Sequence, residues 1–577
     1  MSTAHGPRFR WRKWLDGFLL IALLLLTFFA RCHNREQVFH HGGVFFVDGD
    51  CYSRMTRAKM VADGQWVIRH HDFENWPAGI TPHTTAPLDW LIVSFKPLVG
   101  FAVSILDPGA KSVLRHQSLD LAGALISPLL GVLTALWLWW WAGRMRLRYR
   151  VAVLLFFALS PILVHGTVLG RPDHQALLIL LLSIALGSEL RLVHSADDET
   201  TVRRAWSIAA GSAWGVSLWV SLYEPLVLLL SVVAMRAVCD RREMLALGRR
   251  SGWIALIGWV GFGLLVDGWR IQWPDAALRD SFVRWSSTIG ELRHMDLASP
   301  LLWQWIGLLG FAFPILLWLA GRNDRRAFGV LAAVAILFAF TIWQLRWGYF
   351  LALAFAMSLP WQLRAFRQAW LGWVAFSIAL WPLVTSWAGT LHPSEKTRED
   401  HAWREFSQAT LRGIAGKMRG SERAAFLAPW WMSPQVAYWS GQPGVAGTSH
   451  QSLPGTIESA RFFLGTDPVR AAKILHDRQV RWVIADSASY DLVHREQLLA
   501  VTNSATLLGE RAPLEPLALL LAERPREAPA FFREVSPREL GLVFDLSPKE
   551  ATARDGEGVR FYAQQVHRLF RVQFDKP

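Results

Sequence analysis

The chain has 577 residues, a formal charge of +14, 52% hydrophobic residues and 32 tryptophans. Its apolar residues come in long blocks instead of an alternating pattern, which excludes a small soluble module or a disordered chain and indicates a polytopic membrane protein. Much of the positive charge sits in short arginine-rich connections between the blocks, an arrangement that suits anchoring to anionic membrane lipid and argues against a nucleic-acid partner.

The first block, at about residues 15–31, follows Arg8, Arg10, Arg12 and Lys13 and is closed by Arg31-Cys32-His33 without a small-x-small cleavage pattern, so it reads as an uncleaved span. Crossing ~30 Å of hydrocarbon needs about 20 mainly apolar residues. Further candidates lie at about 119–142, 151–169, 175–190, 206–222, 225–238, 252–269, 300–320, 328–343, 347–361 and 368–388, about eleven in all. The apolar stretch 88–106 is interrupted by Lys96 and Pro97 and reads as an interfacial or re-entrant part of a large external loop, 32–118. Alternate connections carry the cations (Arg144 to Arg150, Arg191 to Arg204, Arg236 to Arg250, Arg322 to Arg326, Arg364 and Arg367), which places them on the cytoplasmic side. The expected fold is therefore a polytopic α-helical domain, 1–388, in the inner (cytoplasmic) membrane. A soluble mixed α/β domain, 389–577, follows on the periplasmic or extracytoplasmic side. In that tail, strand-like runs fall at 424–427, 481–485, 541–544 and 569–574, and 461–476 is helical in pattern. Cys32 and Cys51 both face the oxidising side and form a candidate disulfide, while Cys239 lies inside.

Six motifs fall on the face that this topology puts outside. Asp48-Gly49-Asp50-Cys51-Tyr52 opens the large loop before residues at helical spacing, so its acids either cap a surface helix or present a carboxylate at its start. Gly170-Arg171-Pro172-Asp173-His174-Gln175 is a short turn offering metal or proton-transfer groups, or a helix cap; carboxylate and imidazole suit Mn²⁺ or Mg²⁺. Glu224 lies in an apolar hairpin, where ionisable groups are costly and usually serve a site. Thr288-Ile289-Gly290-Glu291 reads as a site element or as a capping box. Arg346 suits a bidentate grip on phosphate, or is a snorkelling surface arginine. Trp430-Trp431 opens the tail. A transporter would collect charges at the midplane and repeat its halves; here the carboxylates gather at one interface and no repeat is visible.

Taken in order, these segments resemble the catalytic subunit of oligosaccharyltransferases, the GT-C membrane glycosyltransferases of the PglB and AglB kind. Asp50-Cys51-Tyr52 resembles that family's D-x-Y, whose Asp is the central catalytic and metal-binding carboxylate. The stretch 75–79 with 86–89 is similar to its Y-P-x-G and P-P-L pattern, and Asp173 falls at its second acidic motif. Thr288 to Glu291 matches T-I-x-E, Arg346 resembles the arginine that holds the donor pyrophosphate, and Trp430-Trp431 resembles the start of W-W-D. The resemblance implies transfer of a sugar or oligosaccharide from a polyprenyl-phosphate or polyprenyl-pyrophosphate donor to a glycan, lipid or protein acceptor on the outer face. It implies Asp50 and Glu291 as catalytic groups, a divalent Mn²⁺ or Mg²⁺ held by Asp50, Asp173, His174 and Glu291, and Arg346 on the donor phosphate. Trp430, Trp431 and Thr288 are implied at the acceptor, with Glu224 also at the site. Two positions depart from the family: Gln175 stands where a second acid is usual, and Met432 where W-W-D has the Asp that binds the sequon hydroxyl. The acceptor expected is therefore not a standard asparagine sequon. The alternatives are an N-glycosylating enzyme with an altered acceptor pocket and an inactive scaffold homologue.

Overall fold

The computed structural model describes residues 8–106, 117–193, 200–239, 247–270, 275–486, 499–535 and 567–573. Each expected apolar block is helical. Six of the described helices are long and apolar enough to cross a membrane: Trp14–Arg31, Ala86–Ile105, Ser118–Arg144, His174–Leu192, Arg326–Trp343 and Ala369–Leu391. Exposed Phe18, Ile21, Phe101, Ile254, Leu265, Phe311 and Trp381 show that much of this surface faces an apolar medium.

Local chemistry explains where helices break. Arg150–Leu159 passes to Pro161–His165 at Ser160, since Pro161 lacks the N–H that would continue the ladder. Leu301–Ile306 passes to Leu309–Gly321 at Gly307, which adopts φ +72°, and a Cβ there would lie 2.5 Å from the Ala379 carbonyl. The closest helix pair is Thr200–Val220 with Leu247–Asp267, where Gly211 lies directly on the Gly252 backbone; small residues permit that approach.

The stretch 88–106 forms one continuous helix, Ala86–Leu106, with Pro97 inside it. Ala86 N–H donates to Asp267 at the end of Leu247–Asp267 (3.3 Å). In its second half, a Cβ at Gly100 would lie 4.0 Å from the Ser118 side chain, at the start of the Ser118–Arg144 helix. By length and composition the stretch qualifies as a membrane span, where the sequence suggested an interfacial or re-entrant segment. Arg54 ties it to the preceding helix, Gly49–Ala62, through Asp89 at 2.9 Å.

Beyond the bundle lies a small mixed sheet in the order Ala425–Leu427, Val480–Asp486, His567–Val572, Phe532–Glu534; the first pair is parallel and the others antiparallel. The expected strand at 541–544 lies outside the described residues. The helical pattern at 461–476 divides into Leu453–Leu464 and Pro468–Asp477, because Gly465 ends one helix and Asp467 caps the next. The domain docks through Ser433–Ser440, whose Trp439 packs edge-on against Tyr52 (5.0 Å) and whose Tyr438 hydroxyl donates to Asp120. The Cys32–Cys51 pairing is not formed: both thiols are free, and Cys51 is buried on the core side of its helix.

Candidate functional site

Three segments converge at the docked end of the bundle. Gly170, with φ +76° and a Cβ position only 2.7 Å from Val38, donates its N–H to the Ala124 carbonyl (3.0 Å) and accepts from Val47 N–H (3.0 Å). These bonds fix the turn that carries Arg171 and Asp173 beside Asp48. In the acidic pair it is Asp48 that caps the Gly49–Ala62 helix, accepting from Cys51 N–H at 3.0 Å. Asp50 is therefore left open to a cleft. Gly49 gives the cleft its shape, since a Cβ there would meet Thr448 at 2.9 Å and the Trp431 carbonyl at 3.1 Å.

Arg171, 4% exposed, stands among three carboxylates. Its Nη2 donates to Glu291 at 2.9 Å and lies 3.7 Å from Asp173; its Nη1 lies 3.6 Å from Asp48 and 3.1 Å from His165 Nε2. Tyr349 hydroxyl also donates to Glu291 (3.1 Å). Asp173 caps the His174–Leu192 helix, one oxygen accepting both the N–H and ring Nδ1 of His174 at 2.6 Å, and the Gln175 amide nitrogen in its satisfied orientation also donates to Asp173. Burial raises the Asp173 carboxyl, but His174 and Arg171 outweigh it and hold the group well below the usual carboxylate range. Asp50 behaves oppositely: desolvation in the cleft and the like charges of Asp48 and Asp173 push its carboxyl up to about 7. A cavity of about 40 Å³ joins Asp50, Asp173 and His174 to Arg54, Arg57, His83 and Thr448.

The remaining motifs adjoin this cluster. Glu291 sits on a short turn paired to the Arg346 turn through Leu345 N–H to Arg293 carbonyl (3.0 Å). Arg346 does not snorkel: it is ion-paired to the buried Glu224 and lies over the Tyr223 ring (5.3 Å), and its Nε is buried without a partner. Thr288 makes no capping box; its hydroxyl donates to the Trp285 carbonyl (2.7 Å), and Trp285 packs edge-on against Trp430 (6.3 Å). Trp431 borders the cleft, and Met432 is buried. Arg171, Asp48, Tyr349 and Thr448 were missed as site residues. Two of them had a visible signal, Asp48 as one of the paired acids opening the large loop and Arg171 as the single cation of a polar turn.

The donor set fits a divalent metal poorly. Among the described residues no group of three His, Cys, Asp or Glu is placed to hold a metal ion. Of the four expected ligands three are engaged by protein donors, Asp173 by His174 and Arg171, His174 Nδ1 by Asp173, and Glu291 by Arg171 and Tyr349, and Asp50 faces the cleft.

A helical bundle with its polar site at one end, beneath a small α/β domain, defines a multi-pass membrane protein with the GT-C fold. The chain is similar to the Archaeoglobus fulgidus oligosaccharyltransferase tethered with an acceptor peptide containing the NVT sequon. That match has TM-score 0.67 and 14% identity, covering 97% of this chain and 89% of that one. It is also similar to AglB of the same archaeon in complex with an inhibitory peptide and a dolichol-phosphate (0.59, 14%, 82% and 70%). A third similar structure is ArnT from Cupriavidus metallidurans bound to undecaprenyl phosphate (0.50, 16%, 83% and 94%). At these identities the likeness is one of fold. No family model matches the chain, and no curated protein matches it significantly.

Proposed function

We propose that this protein is an inverting membrane glycosyltransferase that takes a sugar or oligosaccharide from a polyprenyl-phosphate or polyprenyl-pyrophosphate carrier on the outer face of the membrane. The observation that carries the reading is the convergence of Asp50, Asp173, Glu291, Arg346 and Trp431 at one bundle end, in a fold shared with proteins solved with dolichol-phosphate and undecaprenyl phosphate. The outer-face assignment rests on the opposite end, which gathers the arginine-rich connections.

In the reaction the bond between the sugar's anomeric carbon and the phosphate oxygen breaks, and a bond from an acceptor heteroatom to that carbon forms. Asp50 faces the cleft with a carboxyl near neutrality, so it is suited to orient the acceptor and take its proton. Glu291, held by Arg171 and Tyr349, lies beside the acceptor. Negative charge appears on the departing phosphate, and Arg346, whose guanidinium is shared with Glu224 and stays partly exposed, would receive it. Asp173 and His174 position the turn, and Trp430, Trp431 and Thr288 form the acceptor wall. Buried Met432 offers no strong acceptor where a sequon hydroxyl would need one, which supports a glycan or lipid acceptor over an asparagine sequon.

The test is mass spectrometry of surface glycoproteins, glycolipids and polysaccharide from source cells whose only copy carries Asp50→Ala. Loss of one glycoform at normal protein level is expected. An unchanged profile in all three fractions overturns the assignment.

A further inference from the structure

The turn 170–175 builds a surround of donors. Asp173 receives the backbone and ring of His174 at 2.6 Å, the Gln175 amide nitrogen, and Arg171 at 3.7 Å. Arg171 reaches outward to Glu291 (2.9 Å) and Asp48 (3.6 Å). Its place is over-determined by the backbone: its carbonyl accepts from the Ser127 hydroxyl and from Asp173 N–H (2.7 Å). A metal ion binds oxygens at about 2.0–2.6 Å and needs lone pairs directed at it. Here those lone pairs point at N–H groups, and a dication would sit against a buried guanidinium competing for the same oxygens. Gln175, with its amide turned so that the nitrogen faces Asp173, is a neutral donor where a further acid would have added a ligand.

We propose that Arg171 takes the place of a divalent cation in this site: its guanidinium holds Asp48, Asp173 and Glu291 in position, and the protein works without a bound metal. Arg171 is thus a positioning residue. A planar fork with several fixed donors can serve three carboxylates at once, which an ammonium cannot do with the same geometry. The inference rests on the transferase reading for what concerns turnover, while the occupancy claim stands on the contacts of Arg171 and Asp173.

The test uses the full chain in nanodiscs, titrated with MnCl₂ while free Mn²⁺ is read by electron paramagnetic resonance. Wild type is expected to show no site tighter than about 0.1 mM. Arg171→Met, which leaves the carboxylates without their resident cation, is expected to gain Mn²⁺ affinity by about tenfold or more. One Mn²⁺ per wild-type chain, bound tighter than about 10 μM, overturns the proposal even if Arg171→Met does not fold. A folded Arg171→Met that binds no better than wild type also overturns it. In parallel, sugar transfer by wild type is expected to be unchanged after EDTA treatment and dialysis, and loss restored by Mn²⁺ overturns the claim. The binding arms do not depend on transfer, so a failed transferase assignment and a failed Arg171 assignment give different results.

Discussion

The two ends of the bundle each hold a buried arginine and carboxylate cluster, in opposite proportion. At the end away from the site, Glu189 receives Arg249 at 2.6 and 3.0 Å and Arg236 at 2.6 Å through its carbonyl and 3.1 Å through its carboxylate. Two cations there close on one anion, with only about 20 Å³ of cavity beside them. At the site end one guanidinium serves Asp48, Asp173 and Glu291, and Asp50 adds a further acid facing a cleft. The first arrangement closes on itself and locks the helices His174–Leu192, Tyr223–Cys239 and Leu247–Asp267 together. The second leaves Asp50 facing a cleft, its carboxyl lifted first by desolvation and then by the like charges of Asp48 and Asp173. One cluster is closed on itself, and under the proposed function the other serves chemistry.

Substitutions separate the two. The largest effect expected is on cohesion: Glu189→Ala strands two buried guanidiniums and lowers stability by about 3–5 kcal/mol, read as thermal unfolding in detergent, with transfer per folded molecule unchanged. Asp50→Ala does the reverse, cutting transfer by about 100-fold or more while the unfolding midpoint stays near wild type, because the side chain is open to the cleft. If Asp50→Ala unfolds the protein as Glu189→Ala does, the distinction between the ends fails. Arg346→Lys keeps the charge but loses the fork, so transfer should fall by about tenfold, chiefly through the donor KM. The smallest effect is one of pH. Since Asp50 must be ionised to accept a proton and its carboxyl lies at about 7, transfer should rise with pH and level off above that value. Below it the rate should fall up to about tenfold per unit, and a profile flat from pH 5 to 8 removes Asp50 as the base.

Much of the fold was legible because a membrane helix declares itself by a long apolar run, and the arginine-rich connections ordered those runs. Less legible were the breaks. Gly307 needed the Ala379 carbonyl against it, a tertiary fact, to become a kink, and Pro97, read as an interruption of 88–106, lies inside one continuous helix. The candidate site was readable as separate motifs. Its wiring was not, because the contacts of Arg171 come from Asp48 and Glu291, which lie far apart in the chain and meet only through the fold. The same reason defeats the Cys32–Cys51 pairing: proximity in sequence said nothing of the face on which Cys51 is buried.

The most direct test compares the two clusters in one assay. Purified wild type, Asp50→Ala and Glu189→Gln, matched for folded protein, are given lipid-linked sugar extracted from source membranes, and release of polyprenyl phosphate or pyrophosphate is measured together with sugar transfer. The account predicts that Asp50→Ala loses both while Glu189→Gln keeps wild-type turnover per folded molecule. Equal turnover by Asp50→Ala and wild type would contradict it.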